Sequence, residues 1–205
     1  MTTSTIHERL AQFGRAGAGA AIVLGVLSLL TVACGGAMPS TDQVITAISG
    51  DARFSMPKTT RLVADYESWT GLLVSRACPS CDKFEQLGYL VAIRGSDPLG
   101  LKKTHVLTPK GTKLSVEWIA KGSDPELGGR SWDVPLLKRQ VRHVLGVRLS
   151  QEGRAEVQFD WSYTPAGTTG AEFNRETQFP LSTSNATLTL FDTGWRVVSI
   201  SDLDH

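Results

Sequence analysis

Residues 155–163 alternate strictly between apolar and polar side chains, and this constrains the fold more than any other feature of the sequence. One side of this segment carries Ala155, Val157, Phe159, Trp161 and Tyr163. Residues 141–149 show a similar pattern, with Val141, His143, Leu145, Val147 and Leu149 assigned to one side. A period of two is typical of a strand with one face in the core and one in water. The second half of the chain is therefore predicted to be an antiparallel sheet.

Two glycine-containing turns connect the strands of this predicted sheet. Asp192-Thr193-Gly194 separates the apolar segments 186–191 and 195–200, and Gln151-Glu152-Gly153 separates the two alternating segments. Glycine adopts the positive φ that tight hairpin turns require. The sequence therefore predicts at least four antiparallel strands in meander order.

The first half has weaker signals. The predicted elements are a helix over 43–48 capped by Thr41 or Asp42, a helix before Trp69, a helix over 82–88 ending at Gly88, a hairpin of strands 89–94 and 103–108, and a strand over 113–120. Helical spacing of apolar residues and cap residues supports the helices. We therefore predict an α+β fold in which a small helical and β-hairpin part precedes the antiparallel sheet.

The N-terminal residues have the pattern of an export signal. Arg9 and Arg15 precede an uncharged stretch from Ala16 to Thr41, whose most apolar part is residues 20–32. A short basic region, an apolar core and small residues are typical of a secretory signal. An uncleaved transmembrane anchor is the alternative, because the uncharged stretch is long enough to span a bilayer.

The small residues that end this segment, Thr31-Val32-Ala33-Cys34-Gly35-Gly36, resemble a bacterial lipobox. The resemblance implies cleavage before Cys34 and lipidation of that cysteine, which would hold the protein stably on a membrane. The predicted segments are a signal peptide (1–33), a tether (34–40), the helical and hairpin part (41–121) and the sheet part (122–205). The sequence leaves two alternatives for the last two parts: they form separate domains, or they pack together as one domain. The body would face outside the cytoplasm in the cell envelope. Gly35 fits sorting to an outer membrane if the host has one.

Cys78-Pro79-Ser80-Cys81 is the most specific local motif in the exported part. A structural disulfide is the favoured interpretation, because an even number of cysteines remains once Cys34 is lipidated. A redox pair is the alternative, with Cys78 as the attacking thiol and Cys81 as the resolving thiol. Half of a metal site is a third interpretation, but the sequence offers few further ligands, and neither a metal nor a cofactor is predicted.

The sequence shows none of the motifs typical of common enzymes. It lacks a Gly-x-Ser-x-Gly elbow, a Walker loop, an HExxH motif and an EF-hand loop. His143 is predicted to be a core residue and His105 to lie in an exposed strand. The 21 basic and 20 acidic residues nearly cancel, which argues against nucleic acid as a partner. Among the aromatic residues, Trp69 and Trp132 lie outside clear strands and are the candidates for an exposed ligand contact.

Several segments together resemble a group of small exported bacterial lipoproteins that have no assigned activity: TVACGG, LGYLVAIR, LTPKG, FDWSYTP and DTGWRV. The segment from 82 to 114 is similar to the end of a winged-helix domain, and the C-terminal sheet is similar to cystatin-like or NTF2-like folds. Fold likeness alone does not select a function.

These features favour a membrane-tethered, non-enzymatic binding or assembly module whose partners are the membrane, through its lipid anchor, and an envelope protein. The alternatives are a thiol–disulfide oxidoreductase and a small-ligand carrier.

Overall fold

The computed structural model of the chain describes residues 38–69, 78–99, 101–150, 153–201 and 203. The predicted signal peptide, the first part of the tether and Cys34 lie outside these residues. The described residues all lie within one compact unit.

The described residues form short helices and longer strands. The helices are α1 (Thr41–Gly50), α2 (Ala52–Ser55), α3 (Cys81–Gln86), α4 (Pro109–Leu114) and α5 (Gly167–Phe173), and a 3-10 turn (Ser115–Glu117) follows α4. The strands are β1 (Lys58–Ala64), β2 (Tyr66–Trp69), β3 (Leu90–Arg94), β4 (Lys102–Leu107), β5 (Ile119–Ser123), β6 (Arg130–Leu149), β7 (Arg154–Pro165), β8 (Ser182–Phe191) and β9 (Gly194–Ser201). The fold is mixed helix and sheet, with strands predominating. The predicted boundary between residues 121 and 122 lies inside β5.

The larger sheet has six antiparallel strands in the order β1-β6-β7-β8-β9, with β5 paired to the first part of β6. The predicted meander is confirmed as β6-β7-β8-β9. Gly153 and Gly194 have φ values of 72° and 107°, as tight turns require.

Two β-bulges interrupt β6, and they overturn the predicted alternation of residues 141–149. The register against β7 shifts between Val141 and His143 and again between Val144 and Gly146. Each bulge adds a residue and moves the following side chains to the opposite face. Val141, Val144 and Val147 therefore contact the core. His143 is exposed, so its prediction as a core residue is wrong.

Helices α1 and α2 cover one face of strands β6 to β9. The buried cluster between them contains Val44, Ile48, Phe54, Val141, Ala155, Val157, Phe159, Trp161, Ala186, Leu188 and Trp195. Helix α1 begins at Thr41, two residues earlier than predicted. Its cap is Ser40, whose hydroxyl accepts from the Gln43 backbone N–H, while the Gln43 side chain accepts from the Ser40 N–H. This capping box replaces the predicted caps Thr41 and Asp42.

Two predictions for the first half are wrong. The segment predicted as a helix before Trp69 forms β1 and β2. Leu62, Val63 and Ala64 are all buried, because this end of β1 has apolar neighbours on both faces, and so the strand shows no period of two. The strand predicted over 113–120 is instead the end of α4, the 3-10 turn and the start of β5. The predicted helix ending at Gly88 and the hairpin of β3 and β4 are confirmed.

A smaller sheet has three antiparallel strands in the order β2-β4-β3. The chain passes from β1 in the larger sheet to β2 in the smaller one at Asp65, which has a φ of 60°. The Asp65 N–H donates to the backbone oxygen of His105 in β4 at 2.6 Å. A second buried cluster lies beside this sheet and contains Leu62, Val63, Ala64, Tyr66, Cys78, Cys81, Phe84, Tyr89, Leu90, Trp118, Trp132 and Val134.

Candidate functional site

The smaller sheet presents two chemically different faces. The register pairs Tyr66 with His105 and Ser68 with Lys103, so these side chains share one side of the sheet. We call this the inner face, because Tyr66, Ser68 and His105 are buried on it. Trp69, Val91 and Ile93 lie on the opposite side, the outer face, and are exposed.

A chain of hydrogen bonds on the inner face joins Ser68, His105 and Glu85. The Ser68 Oγ lies 2.8 Å from His105 Nε2, and His105 Nδ1 lies 2.7 Å from Glu85 Oε1. An ionised carboxylate only accepts hydrogen bonds, so Nδ1 carries the hydrogen in the neutral imidazole and Nε2 accepts from the serine hydroxyl. Ser68 and His105 are each 7% exposed, whereas the Glu85 side chain is 33% exposed.

Tyr66 fixes the plane of the His105 ring. The two rings are parallel within 1°, with centroids 4.4 Å apart. The Tyr66 hydroxyl is buried and has no hydrogen-bond partner within the described parts of the chain. Burial, with a smaller contribution from the carboxylates of Glu85 and Asp82, raises the pKa of Tyr66 to about 12. The hydroxyl is therefore protonated at neutral pH and remains an unused donor.

This cluster was missed at the sequence level. His105 was predicted to lie in an exposed strand, but it is buried between β4 and α3, so the prediction of exposure is wrong. Neither Ser68 nor Glu85 was singled out. The three residues come from different elements, and His105 is 37 residues from Ser68 and 20 from Glu85. No local spacing connects them, and only the pairing of β2 with β4 brings them together.

The outer face is an apolar surface on the three-stranded sheet. Trp69, Val91 and Ile93 are 51%, 42% and 52% exposed, and they come from the two strands that flank β4. A salt bridge of 2.7 Å between Lys102 and Glu67 lies on the same face. At the β3–β4 loop, Leu99 is 79% exposed. Exposed apolar side chains with polar neighbours are typical of interaction surfaces.

The two tryptophans predicted to be exposed differ in their positions. Trp69 is the last residue of β2 and is exposed as predicted, although it lies within a strand. Trp132 lies in β6 and is only 7% exposed, so its predicted exposure is wrong. Its ring packs edge-on against Trp118, with centroids 6.1 Å apart. A ligand contact through Trp69 stays a prediction.

Cys78 and Cys81 form a disulfide with an S–S distance of 1.94 Å. Both residues are 2% exposed and belong to the buried cluster beside the smaller sheet. Thiol–disulfide exchange requires an attacking thiolate to reach one of the sulfur atoms. Burial of both cysteines therefore favours a structural role.

Removal of this disulfide is expected to lower stability moderately. Closure of the short loop between Cys78 and Cys81 contributes about 2 kcal/mol in the chain-entropy account, so the double variant Cys78→Ala/Cys81→Ala should lose about that free energy of unfolding. Urea unfolding measures the loss, and Pro79→Ala, an exposed change that keeps both cysteines, is the matched control. The wild-type protein should not catalyse insulin reduction. Catalysis that Cys78→Ser abolishes would instead establish the redox role.

An open cavity of about 680 Å³ lies across strands β6 to β9. Apolar side chains in it include Val147, Val157, Ala186 and Ile200, and its polar residues include Arg148 and Gln158. A second open cavity, of about 730 Å³, lies between α1 and the β8–β9 turn. Cavities of this size accommodate small ligands.

Within the described ranges, His, Cys, Asp and Glu nowhere form a group of three or more that could bind a metal ion. In the same ranges, each helix is too short or too polar to cross a membrane. No known protein family, curated protein or solved structure matches the chain.

Proposed function

We propose that the protein is an exported lipoprotein, anchored to a membrane of the cell envelope through Cys34, and that its body is a binding or assembly module. The observation that carries the binding role is the exposed apolar outer face of the smaller sheet, formed by Trp69, Val91 and Ile93. Burial of exposed apolar area is favourable by about 25 cal/mol per Å². A partner that covers this face therefore lowers the free energy of the complex.

The anchor and the location rest on the sequence. Cys34 follows the apolar segment at the position that a lipobox requires, and the body carries a buried disulfide, which is typical of exported proteins. We propose that the body faces outside the cytoplasm, on the outer membrane if the host has one, and that it belongs with small exported lipoproteins. Its finer architecture is proposed to be a winged-helix-like N-terminal part followed by a cystatin-like or NTF2-like sheet.

The partner that best fits the outer face is an envelope protein with apolar side chains. Trp69 supplies a large, rigid contact area, and tryptophan is enriched among the residues that dominate binding energy. Lys102, on the central strand β4, lies between Trp69 and the apolar residues of β3, and its pairing with Glu67 leaves the face with little net charge. A neutral apolar face of this kind favours a protein partner and disfavours nucleic acid.

Small-ligand binding is the second candidate function, because the cavity across β6 to β9 has apolar walls and a few polar groups. Lipids and metabolites that enter it would lie near Val157 and Ala186. Addition of such ligands should then protect β7 and β8 from hydrogen exchange. Unchanged exchange across a panel of lipids and metabolites would remove this candidate.

Photo-cross-linking in intact cells tests the binding role. A photoreactive residue at Ile93 should give a specific adduct with an envelope protein, and Trp69→Ala should reduce that adduct strongly. The matched control carries the photoreactive residue at Val116, which is 85% exposed but lies in the 3-10 turn outside the smaller sheet. Equal adducts from both positions, or none from position 93, would contradict a role for the outer face.

A further inference from the structure

The inner face of the smaller sheet has the arrangement of a nucleophile, a base and a group that orients the base. Ser68, His105 and Glu85 are joined in that order by hydrogen bonds of 2.8 and 2.7 Å. This order and these distances match the requirement for activating a serine hydroxyl. We propose that Ser68, His105 and Glu85 form a catalytic triad that cleaves carboxylic esters bearing a negative charge.

Two neighbouring features distinguish this cluster from an ordinary buried hydrogen-bond network. The Tyr66 hydroxyl is buried without a hydrogen-bond partner in the described chain, and its ring is stacked on His105. Asp65, next in sequence to Tyr66, is the only non-glycine residue with a positive φ among the described residues. Unpaired buried donors and unusual backbone angles cost free energy and concentrate at functional sites.

The substrate class follows from the charges beside Ser68. Lys103 lies directly opposite Ser68 on β4, and Arg94 lies opposite Lys103 on β3. Residues paired across antiparallel strands project from the same side of the sheet. Two cations therefore share the face and the end of the sheet that carry the serine, whereas the carboxylates of Glu85 and Asp82 lie near Tyr66, two residues along β2. Lys103, directly opposite Ser68, favours an ester with a carboxylate or phosphate group near the bond to be cleaved.

The reaction balances with water as the only co-substrate. Ser68 Oγ attacks the carbonyl carbon while its proton passes to His105 Nε2, and Glu85 stabilises the imidazolium that forms. The C–O bond to the alcohol then breaks, and His105 returns the proton to the departing alkoxide. Water, giving a proton to His105, attacks the acyl-serine and releases the acid, and Ser68 regains its proton.

A fluorophosphonate probe tests the triad in the full-length protein. The activated serine oxygen displaces fluoride from phosphorus and leaves a stable adduct that mass spectrometry can locate. We expect an adduct on Ser68 of the folded wild-type protein and none after denaturation. His105→Gln should slow labelling at least about 10³-fold, because the base is lost. Ser131→Ala, another buried serine, is the matched control and should leave labelling unchanged.

Absence of an adduct on Ser68 of the folded wild-type protein would overturn the proposal, and this result does not depend on whether any variant folds. Labelling that is insensitive to His105→Gln would overturn it as well.

Hydrolysis of p-nitrophenyl hemisuccinate, which is anionic, should exceed that of p-nitrophenyl butyrate, and Lys103→Gln should remove the preference. Glu85→Asp should retain more activity than Glu85→Gln, as expected for a positioning carboxylate.

This activity would be additional to the proposed binding role and does not depend on it. Trp69→Ala, which should reduce cross-linking on the outer face, is expected to leave the labelling of Ser68 intact.

Discussion

Trp161→Ala should lower the free energy of unfolding by about 3–5 kcal/mol, the range for removing a large buried aromatic side chain. Trp161 is 1% exposed, and its ring packs edge-on against Phe54 of α2, with centroids 6.2 Å apart. Its indole N–H donates to Ser184 Oγ at 2.8 Å. The substitution therefore opens a cavity under α2 and removes a hydrogen bond between β7 and β8.

Urea unfolding followed by circular dichroism measures this loss. Trp69→Ala is the matched control, because the same side chain is removed from a position that is 51% exposed. It should cost less than about 1 kcal/mol, as exposed substitutions usually do. Equal losses for the two variants would contradict the packing of α2 on the larger sheet.

Gly111→Ala should lower the free energy of unfolding by about 2–3 kcal/mol, because an added methyl group has no room. A Cβ at Gly111 would lie 2.2 Å from the backbone oxygen of Tyr89. Two hydrogen bonds from Thr108, the residue before α4, fix the helix start against residues 88 and 89. The Thr108 hydroxyl donates to Gly88 O at 2.6 Å, and the Thr108 N–H donates to Tyr89 O at 3.0 Å. The start of α4 thus cannot shift without breaking its junction with β3.

Gly50→Ala is the control for this second substitution. Gly50 is also helical, but an added Cβ would meet nothing within 4 Å. The change should be neutral or should raise stability by up to about 1 kcal/mol, because it restricts the unfolded chain. Thermal unfolding of both variants measures the difference. A Gly111→Ala protein as stable as the wild type would show that α4 does not lie this close to β3.

The C-terminal meander was predictable because the local pattern and the tertiary environment agree. Strand β7 has one face against the helices and one face in solvent, so its sequence alternates. The turns at Gly153 and Gly194 carry the residue that their positive φ requires. In β6 the same pattern was misleading, because two bulges redirect the side chains after Val141. Gly146, a lone glycine within the strand pattern, lies at the second bulge and was a usable signal for it.

The errors in the first half have physical causes. The spacing of Leu62, Tyr66 and Trp69 fits a helix, yet the chain is extended there because pairing with β6 and β4 determines its conformation. For α4 the sequence did contain a usable signal. Thr108 caps the helix through its hydroxyl, and Pro109 occupies the first helical position, a combination typical of helix starts. The alternation of Leu114, Val116 and Trp118 concealed this signal.

The Ser68–His105–Glu85 cluster was beyond prediction, because its residues come from β2, β4 and α3 and meet only in the folded chain. The disulfide was predictable from its spacing, but the burial that favours a structural role was not. Residues that depend on long-range pairing thus carry the candidate chemistry, whereas local patterns predicted the C-terminal meander and the hairpin of β3 and β4.

Lipid attachment at Cys34 is tested most directly by metabolic labelling with palmitate in a bacterial host that processes lipoproteins. The wild-type chain should incorporate label and leave the membrane fraction only in detergent. Cys34→Ala should incorporate none, whereas the matched double variant Cys78→Ala/Cys81→Ala should be labelled like the wild type. A wild-type chain without label, or a Cys34→Ala chain that keeps it, would contradict the proposed lipid anchor.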